Sequence, residues 1–556
     1  MRAKLIVLSC LALLSPAAVA AGDATVSERV DALLAPFGDD TPGVAVGVVR
    51  DGRLVFTRSA GMADLGFSVP FTVGTPTNIG STAKQFTGFA LALLHQRGEL
   101  SLDDDIRRYL PDLPDFGTPV TLRHLASHTS GYREFLNALA LAGRRIEKGD
   151  WIDADEAIEL ARRQPELQNP PGGEWNYNNT GYLMLAMVIE QVTGRPFDEW
   201  VTQEILHPLG MRATVFRTTP DVIIRGGTTG YVKADDGFRE ARDVGGALGA
   251  GSVYTTIGDM ARWMQHLGRF ELGGAEVRTL MTTPFVLNDG GATKYGLGLI
   301  IDEWRGLQRW QHGGGDIGHL AAFHYYPELD AGLMVFANHH DIGAGFTAAL
   351  AEIFFSEQLA PAAAEQAPPA DEDAPFDDAL FDRYAGRYEL EAAPGFVLRF
   401  FRDGARYMSQ ATGQPAVEIT PLSASSFQVA GVNARVSFEA DEQGRITALT
   451  LHQNGAHRAA RLPDDELPPA PDFSEFAGRY FSAELETYYA IELAQGQLQL
   501  RHRRFGPVAL HQVEGDAFRG GFPVFSVDFE RDDDGVVTGL RAGNVRARDI
   551  VFRRVD

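Results

Sequence analysis

One short string, written twice, constrains the second half of this chain more than any other feature. Phe381-Asp382-Arg383-Tyr384-Ala385-Gly386-Arg387-Tyr388 returns as Phe473-Ser474-Glu475-Phe476-Ala477-Gly478-Arg479-Tyr480. The acidic turns Asp441-Glu442-Gln443-Gly444 and Asp532-Asp533-Asp534-Gly535 keep nearly the same offset. Both copies are rich in short alternating segments, such as Phe396-Val397-Leu398-Arg399-Phe400 and Leu498-Gln499-Leu500-Arg501. Such a repeat predicts two consecutive all-β modules of barrel or curled-sheet type, assigned to 379–464 and 465–556. The Ala- and Pro-rich stretch 360–378, with its acidic run, reads as the linker ahead of them. Neither module offers a nucleophile with a base, so their expected roles are stability, covering a cleft or shaping substrate access.

The chain has 556 residues, too many for one core, and a formal charge of −24. That balance excludes nucleic acid and adhesion to an anionic membrane as partners, since both need a basic face. The start reads as a secretory signal over 1–20: Arg2 and Lys4, the apolar run Leu5 to Leu14, then Ala18-Val19-Ala20 as a cleavage site. The run is too short to span a bilayer, so no membrane span is expected after cleavage. A lipoprotein anchored through Cys10 is disfavoured, because Leu8 stands where a small residue is preferred. Cys10 is the only cysteine, so the mature protein, expected to be periplasmic or secreted, holds no disulfide.

Residues 21–359 mix helical and strand patterns. Val44 to Val49, Asp51-Gly52 and Leu54-Val55-Phe56 predict a hairpin, and Leu333 to Ala337 a buried strand. Helices are expected near 81–97, 153–164, 181–192 and 256–268. Strands at both ends with helices between predict an α/β or α+β domain whose terminal strands share one sheet.

Four segments in this half bear on chemistry. In Gly80-Ser81-Thr82-Ala83-Lys84 the serine and lysine lie one turn apart on one face of a helix start, followed by Phe86, Phe89, Leu93 and Leu94 at helical spacing. A helix N-terminus favours an alkoxide, and a lysine whose pKa is lowered can take the serine proton. In Trp175-Asn176-Tyr177-Asn178-Asn179, Tyr177 and Asn179 can reach one cleft, the tyrosine holding a lowered pKa beside a lysine ammonium and shuttling a proton, and the amide holding a carbonyl. On its own, that segment also fits a polar turn before a helix. In His312-Gly313-Gly314-Gly315, glycines on a strand edge let a substrate backbone approach and aim N–H groups at an oxyanion. Arg123 to Gly131 contains serine and histidine but reads as a helix end satisfying a turn. No metal-ligand spacing and no Gly-x-Ser-x-Gly elbow occurs.

Ser-x-x-Lys, Tyr-x-Asn and His-Gly-Gly in this order resemble the serine β-lactamase-like hydrolases. That group includes class C β-lactamases, D-alanyl-D-alanine carboxypeptidases, D-aminopeptidases of the peptidase S12 type and related esterases. The resemblance runs over about 25–355 and includes Arg123-His124-Leu125, His128-Thr129-Ser130-Gly131 and Gly249-Ala250-Gly251-Ser252. It implies an α+β fold, an antiparallel sheet flanked by helices, and no cofactor or metal. It implies Ser81 as acylated nucleophile, Lys84 and Tyr177 sharing the acid–base work, and Asn179 on the substrate carbonyl. His312 would replace the lysine that opens the third motif in class C β-lactamases, with Gly313 and Gly314 along the substrate. The N–H groups of Ser81 and Gly315 would form the oxyanion hole. A histidine there is mostly neutral at pH 7, which lowers the expectation of efficient β-lactam hydrolysis. The function implied is an exported hydrolase of amide or peptide bonds in small-molecule or peptide substrates containing D-amino acids. The alternatives are a carboxylesterase, a β-lactamase, or a cell-wall-binding protein working through its β modules. The oligomeric state is not legible in the sequence.

Overall fold

A computed structural model describes residues 25–361 and 380–556, except 242–244, 246–247, 344, 392–395, 405, 412–415, 431, 433, 454, 464–472 and 495. The expected signal segment 1–20 with Cys10, and nearly all of the stretch 360–378 read as a linker, lie outside the described residues.

The catalytic half is built on a six-stranded antiparallel sheet. Its order is Ile300–Trp304, Leu307–Asp316, His319–Tyr326, Ala331–Ala337, Val44–Arg50, Arg53–Ala60. The two ends of the domain therefore meet in the middle of one sheet, with Val44 opposite Ala337 and Arg50 opposite Ala331. Val44 to Val49 is apolar throughout because both of its faces are covered. Ala45 and Val49 pack into the cluster containing Met260 and Met264 of helix Ile257–Arg269. Val44, Val46 and Val48 join Val30 and Leu350, from helices Val26–Leu34 and Phe346–Phe355, on the other face. Gly47 is required by this closeness, since a Cβ there would meet Ile257 Cγ2 at 2.5 Å. The hairpin turn falls on Asp51 and Gly52, at φ 50° and 66°, the left-handed pair that matches strand twist.

The remaining expected helices form at Lys84–Gln96, Ala154–Arg163 and Asn179–Thr193. Helix Lys84–Gln96 is buried from Lys84 through Leu94, as an all-round apolar helix must be. Beyond it, strands from Gly386 to Arg461 and from Gly478 to Arg554 close into two antiparallel barrels of eight strands each. Closure leaves no open sheet edge, and the alternating segments put one side chain in two inside. Among the described residues no helix is long and apolar enough to cross a membrane.

Candidate active site

Ser81 sits in a tight turn, Gly80–Ala83, directly before helix Lys84–Gln96. Gly80 has φ 48°, and a Cβ on it would come within 2.8 Å of the Gly315 nitrogen. The Gly80 N–H donates to Asn78 Oδ1 at 2.9 Å, and Asn78 Nδ2 donates to Asp316 Oδ2 at 2.9 Å. The Ser81 turn is thus held against the glycine strand from both sides. Gly314 serves that contact rather than a ligand: a Cβ there would stand 1.9 Å from the Ile79 carbonyl oxygen. Gly315 faces the cleft, whereas neither Gly313 nor Gly314 is among the residues lining it.

Lys84 is wholly buried, and its Nζ lies 3.0 Å from Ser81 Oγ. Nζ also donates to Asn179 Oδ1 and to the Ala250 carbonyl, both at 2.7 Å. A neutral amine has two N–H bonds and one lone pair, so these two acceptors use both hydrogens and leave the lone pair for Ser81. Burial pushes the lysine pKa well below its usual value, the Glu134 carboxylate pulls it back up, and the Arg546 guanidinium pushes it down again. The site therefore favours the protonation state that can accept a proton from serine.

Tyr177 lies before helix Asn179–Thr193, whose N-cap Asn178 accepts from the Gly181 N–H. Its ring centroid is 5.0 Å from Lys84 Nζ. The pairing with lysine does not lower its pKa, as the sequence suggested. Burial dominates and raises it, against opposing effects from the Ser81 hydroxyl and Arg546. Tyr177 is thus a neutral phenol, suited to giving a proton, while Lys84 is suited to taking one. Its hydroxyl makes no close hydrogen bond to the described residues.

His312 stands behind these groups rather than in the cleft. Its Nδ1 is 2.6 Å from the Gly313 carbonyl and must donate there, which leaves Nε2 to accept from the Tyr295 hydroxyl at 2.7 Å. Burial first, then the Lys84 charge, push its pKa down to about 3, against the Gly313 carbonyl. It supplies no cation at neutral pH and acts by holding Tyr295 and the strand.

The turn at 127–131 has the structural character expected of it. Ser127 donates to the Arg123 carbonyl at 2.8 Å. It also buttresses the site: His128 accepts the Asn178 N–H at 3.0 Å, with its ring centroid 4.3 Å from that of Tyr177.

Three residues escaped the sequence reading. Glu134, fully buried, accepts from Asn179 Nδ2 at 2.9 Å and caps helix Phe135–Leu141 through Asn137 N–H. Its local pattern announces only a cap. Tyr295 lies in an irregular segment with no motif. Arg546, in the last hairpin of the second barrel, puts its guanidinium carbon 4.9 Å from the Tyr177 ring centroid, and no local signal in the sequence marks it.

Ser81, Asn179, Gly251 and Gly315 open on a cavity of about 320 Å³ whose lining also includes Leu136, Ile146 and Ile317. Among the described residues no group of three or more His, Cys, Asp or Glu could hold a metal ion.

The Beta-lactamase family model matches residues 30–354, which carry the whole Ser81–Lys84–Tyr177–Asn179–His312 set. The chain belongs to the beta-lactamase family. Its relatives include a D-aminopeptidase of Gluconobacter oxydans, 27% identical over 96% of this chain and 99% of that protein. Penicillin-binding protein 4* of Bacillus subtilis is 25% identical over 74% of this chain and 92% of its own length. Among solved structures, a D-stereospecific amidohydrolase from Streptomyces aligns with TM-score 0.50 and 25% identity over 60% of this chain and 98% of its own. The fold is shared with the octameric penicillin-binding protein homologue of Pyrococcus abyssi, TM-score 0.55 at 22% identity, over 78% of this chain and 99% of that one. The protein is a serine hydrolase on the beta-lactamase scaffold.

Proposed function

We propose that this is an exported hydrolase that forms an acyl-enzyme on Ser81 and cleaves amide or peptide bonds next to D-amino acids. The observation that carries the reading is the Lys84 amine, with both N–H groups engaged and its third position 3.0 Å from Ser81 Oγ. Ser81 attacks the carbonyl as its proton passes to Lys84. The N–H groups of Ser81 and Gly315 receive the oxyanion, and each such donor contributes about 10²–10³ in rate. Tyr177 protonates the leaving amine and regains a proton from the Lys84 ammonium; water then attacks the acyl-enzyme, its proton passing to Lys84 and on to Ser81 as the acid is released. Asn179 holds the substrate carbonyl and orients Lys84.

The preference for D-amino amides is supported by D-aminopeptidase relatives that align over nearly the whole chain, barrels included. The apolar wall of Leu136, Ile146 and Ile317 suits an uncharged side chain on the acyl residue. The test is hydrolysis of D-alanine p-nitroanilide, its L-enantiomer and the matching esters, with Ser81→Ala as control. Rates on D-amides well above the L-forms, lost by at least about 10³-fold in Ser81→Ala, are expected. Equal rates on both enantiomers would remove the stereochemical part. Unchanged turnover in Ser81→Ala would remove the mechanism.

A further inference from the structure

The last hairpin of the second barrel, between strands Val537–Asn544 and Ala547–Arg554, is clamped to the catalytic half by its backbone. The Arg546 carbonyl accepts from the Glu134 N–H at 3.4 Å and from Asn176 Nδ2 and Gln168 Nε2, each at 3.3 Å. Arg133 donates to the carbonyls of Arg548 and Asp549 at 2.8 and 3.1 Å, and Arg548 pairs with Glu174 at 2.8 Å. Arg546 differs from these neighbours. Its half-buried guanidinium lies against Tyr177 and forms no ion pair with a described residue.

Around Lys84 and Tyr177 the structure places Ser81, Asn179, His128, Tyr182, Tyr295, His312, Glu134 and Arg546. Burial keeps both histidines and all three tyrosines neutral near pH 7. The fixed charges facing Lys84 are then Glu134, reached through Asn179, and Arg546. The carboxylate raises the proton affinity of Lys84 against burial, and the guanidinium works with burial to lower it.

We propose that Arg546 is a positioning residue by which the second barrel completes the active site: its cation offsets Glu134 and keeps Lys84 free to take the Ser81 proton. The proposal rests on the acyl-enzyme reading. It adds that the proton relay of one domain depends on a charge supplied by another.

The test is the rate of Ser81 labelling by a fluorophosphonate, followed against pH in the full-length protein and in Arg546→Gln, Arg546→Lys and Glu134→Gln. Loss of the cation raises the pKa of Lys84, so the acid limb of Arg546→Gln should move to higher pH by about one unit. Arg546→Lys, which keeps the charge, should retain the wild-type limb. Glu134→Gln should move it to lower pH, an opposite displacement that mere loosening of the interface would not produce. An Arg546→Gln limb that superimposes on wild type would overturn the proposal. So would an Arg546→Lys limb displaced as far as that of Arg546→Gln, or a Glu134→Gln limb displaced in the same direction. Failure of the wild-type protein to label at Ser81 would strike the acyl-enzyme reading instead, so the two failures are distinguishable.

Discussion

In the first barrel the repeat tyrosine Tyr388 stands across from Leu398; in the second its counterpart Tyr480 stands across from Tyr489. The two tyrosines of the repeat do the same job, each donating at 2.8 Å to the carbonyl four residues back. The residues opposite do not. Leu398 belongs to a hydrophobic cluster that, among the described residues, contains only first-barrel residues. Tyr489 sends its hydroxyl out of the second barrel to the Leu141 carbonyl at 2.8 Å. It also belongs to a cluster continuous with Phe135, Leu139, Ile152 and Leu183 of the catalytic half. Gly143 makes room for that contact, since a Cβ there would strike His502 at 2.0 Å. One duplicated architecture has thus produced a barrel with a self-contained core and a barrel that is a wall of the active-site domain. A closed barrel satisfies its own backbone, so its outer residues are free to diverge.

The largest expected effect lies in the buried pair Arg133–Glu484, at 3.2 Å with side chains 2% and 5% exposed. Arg133→Ala leaves Glu484 and the Arg548, Glu166 and Asp549 carbonyls without their buried donor and should cost about 3–5 kcal/mol in denaturant unfolding. If it costs no more than a surface change, the second barrel is not docked as described. Next comes pH. Burial first raises the Glu484 pKa, and with Arg133 opposing, it stands at about 7. The folded state then binds the proton more tightly than the unfolded chain. Its contribution is complete below the ordinary glutamate range and falls away as pH rises through 7. Wild-type stability relative to Glu484→Gln should therefore drop by roughly 2–3 kcal/mol between pH 4.5 and 7.5. A difference that does not vary with pH would show that Glu484 titrates normally. Tyr489→Phe should cost about 1 kcal/mol, the value of one buried hydrogen bond. No change there would mean that the Leu141 carbonyl finds another donor. The smallest effect belongs to the first barrel. Arg445→Ala removes the exposed pair with Asp441, at 2.8 Å, and should stay within about 0.5 kcal/mol.

Much of the catalytic half was legible, because its signals are local. Ser81 and Lys84 sit one turn apart, Tyr177 and Asn179 flank a helix start, and the sheet strands alternate or run apolar as their burial requires. Where the reading went astray, it assigned a group's role from its type and neighbours alone. Gly314 was expected along the substrate, but its missing side chain is needed by Ile79. Tyr177 was expected to have a lowered pKa beside the lysine, but burial raises it. His312 was counted as catalytic, but both of its ring nitrogens are occupied and it lies behind the cleft.

By itself the sequence determined the family, the pairing of Ser81 with Lys84, the placing of Tyr177 and Asn179 at one helix start and the existence of two β modules. All of these rest on spacings within one turn, one strand or one repeat. Only the tertiary structure decided which barrel docks, and that Glu134 and Arg546 bracket Lys84 from opposite signs of charge. It alone decided which residues of the relay are neutral. Those outcomes depend on burial and on distances between residues hundreds of positions apart, and the energy of a charge is set by what surrounds it in space.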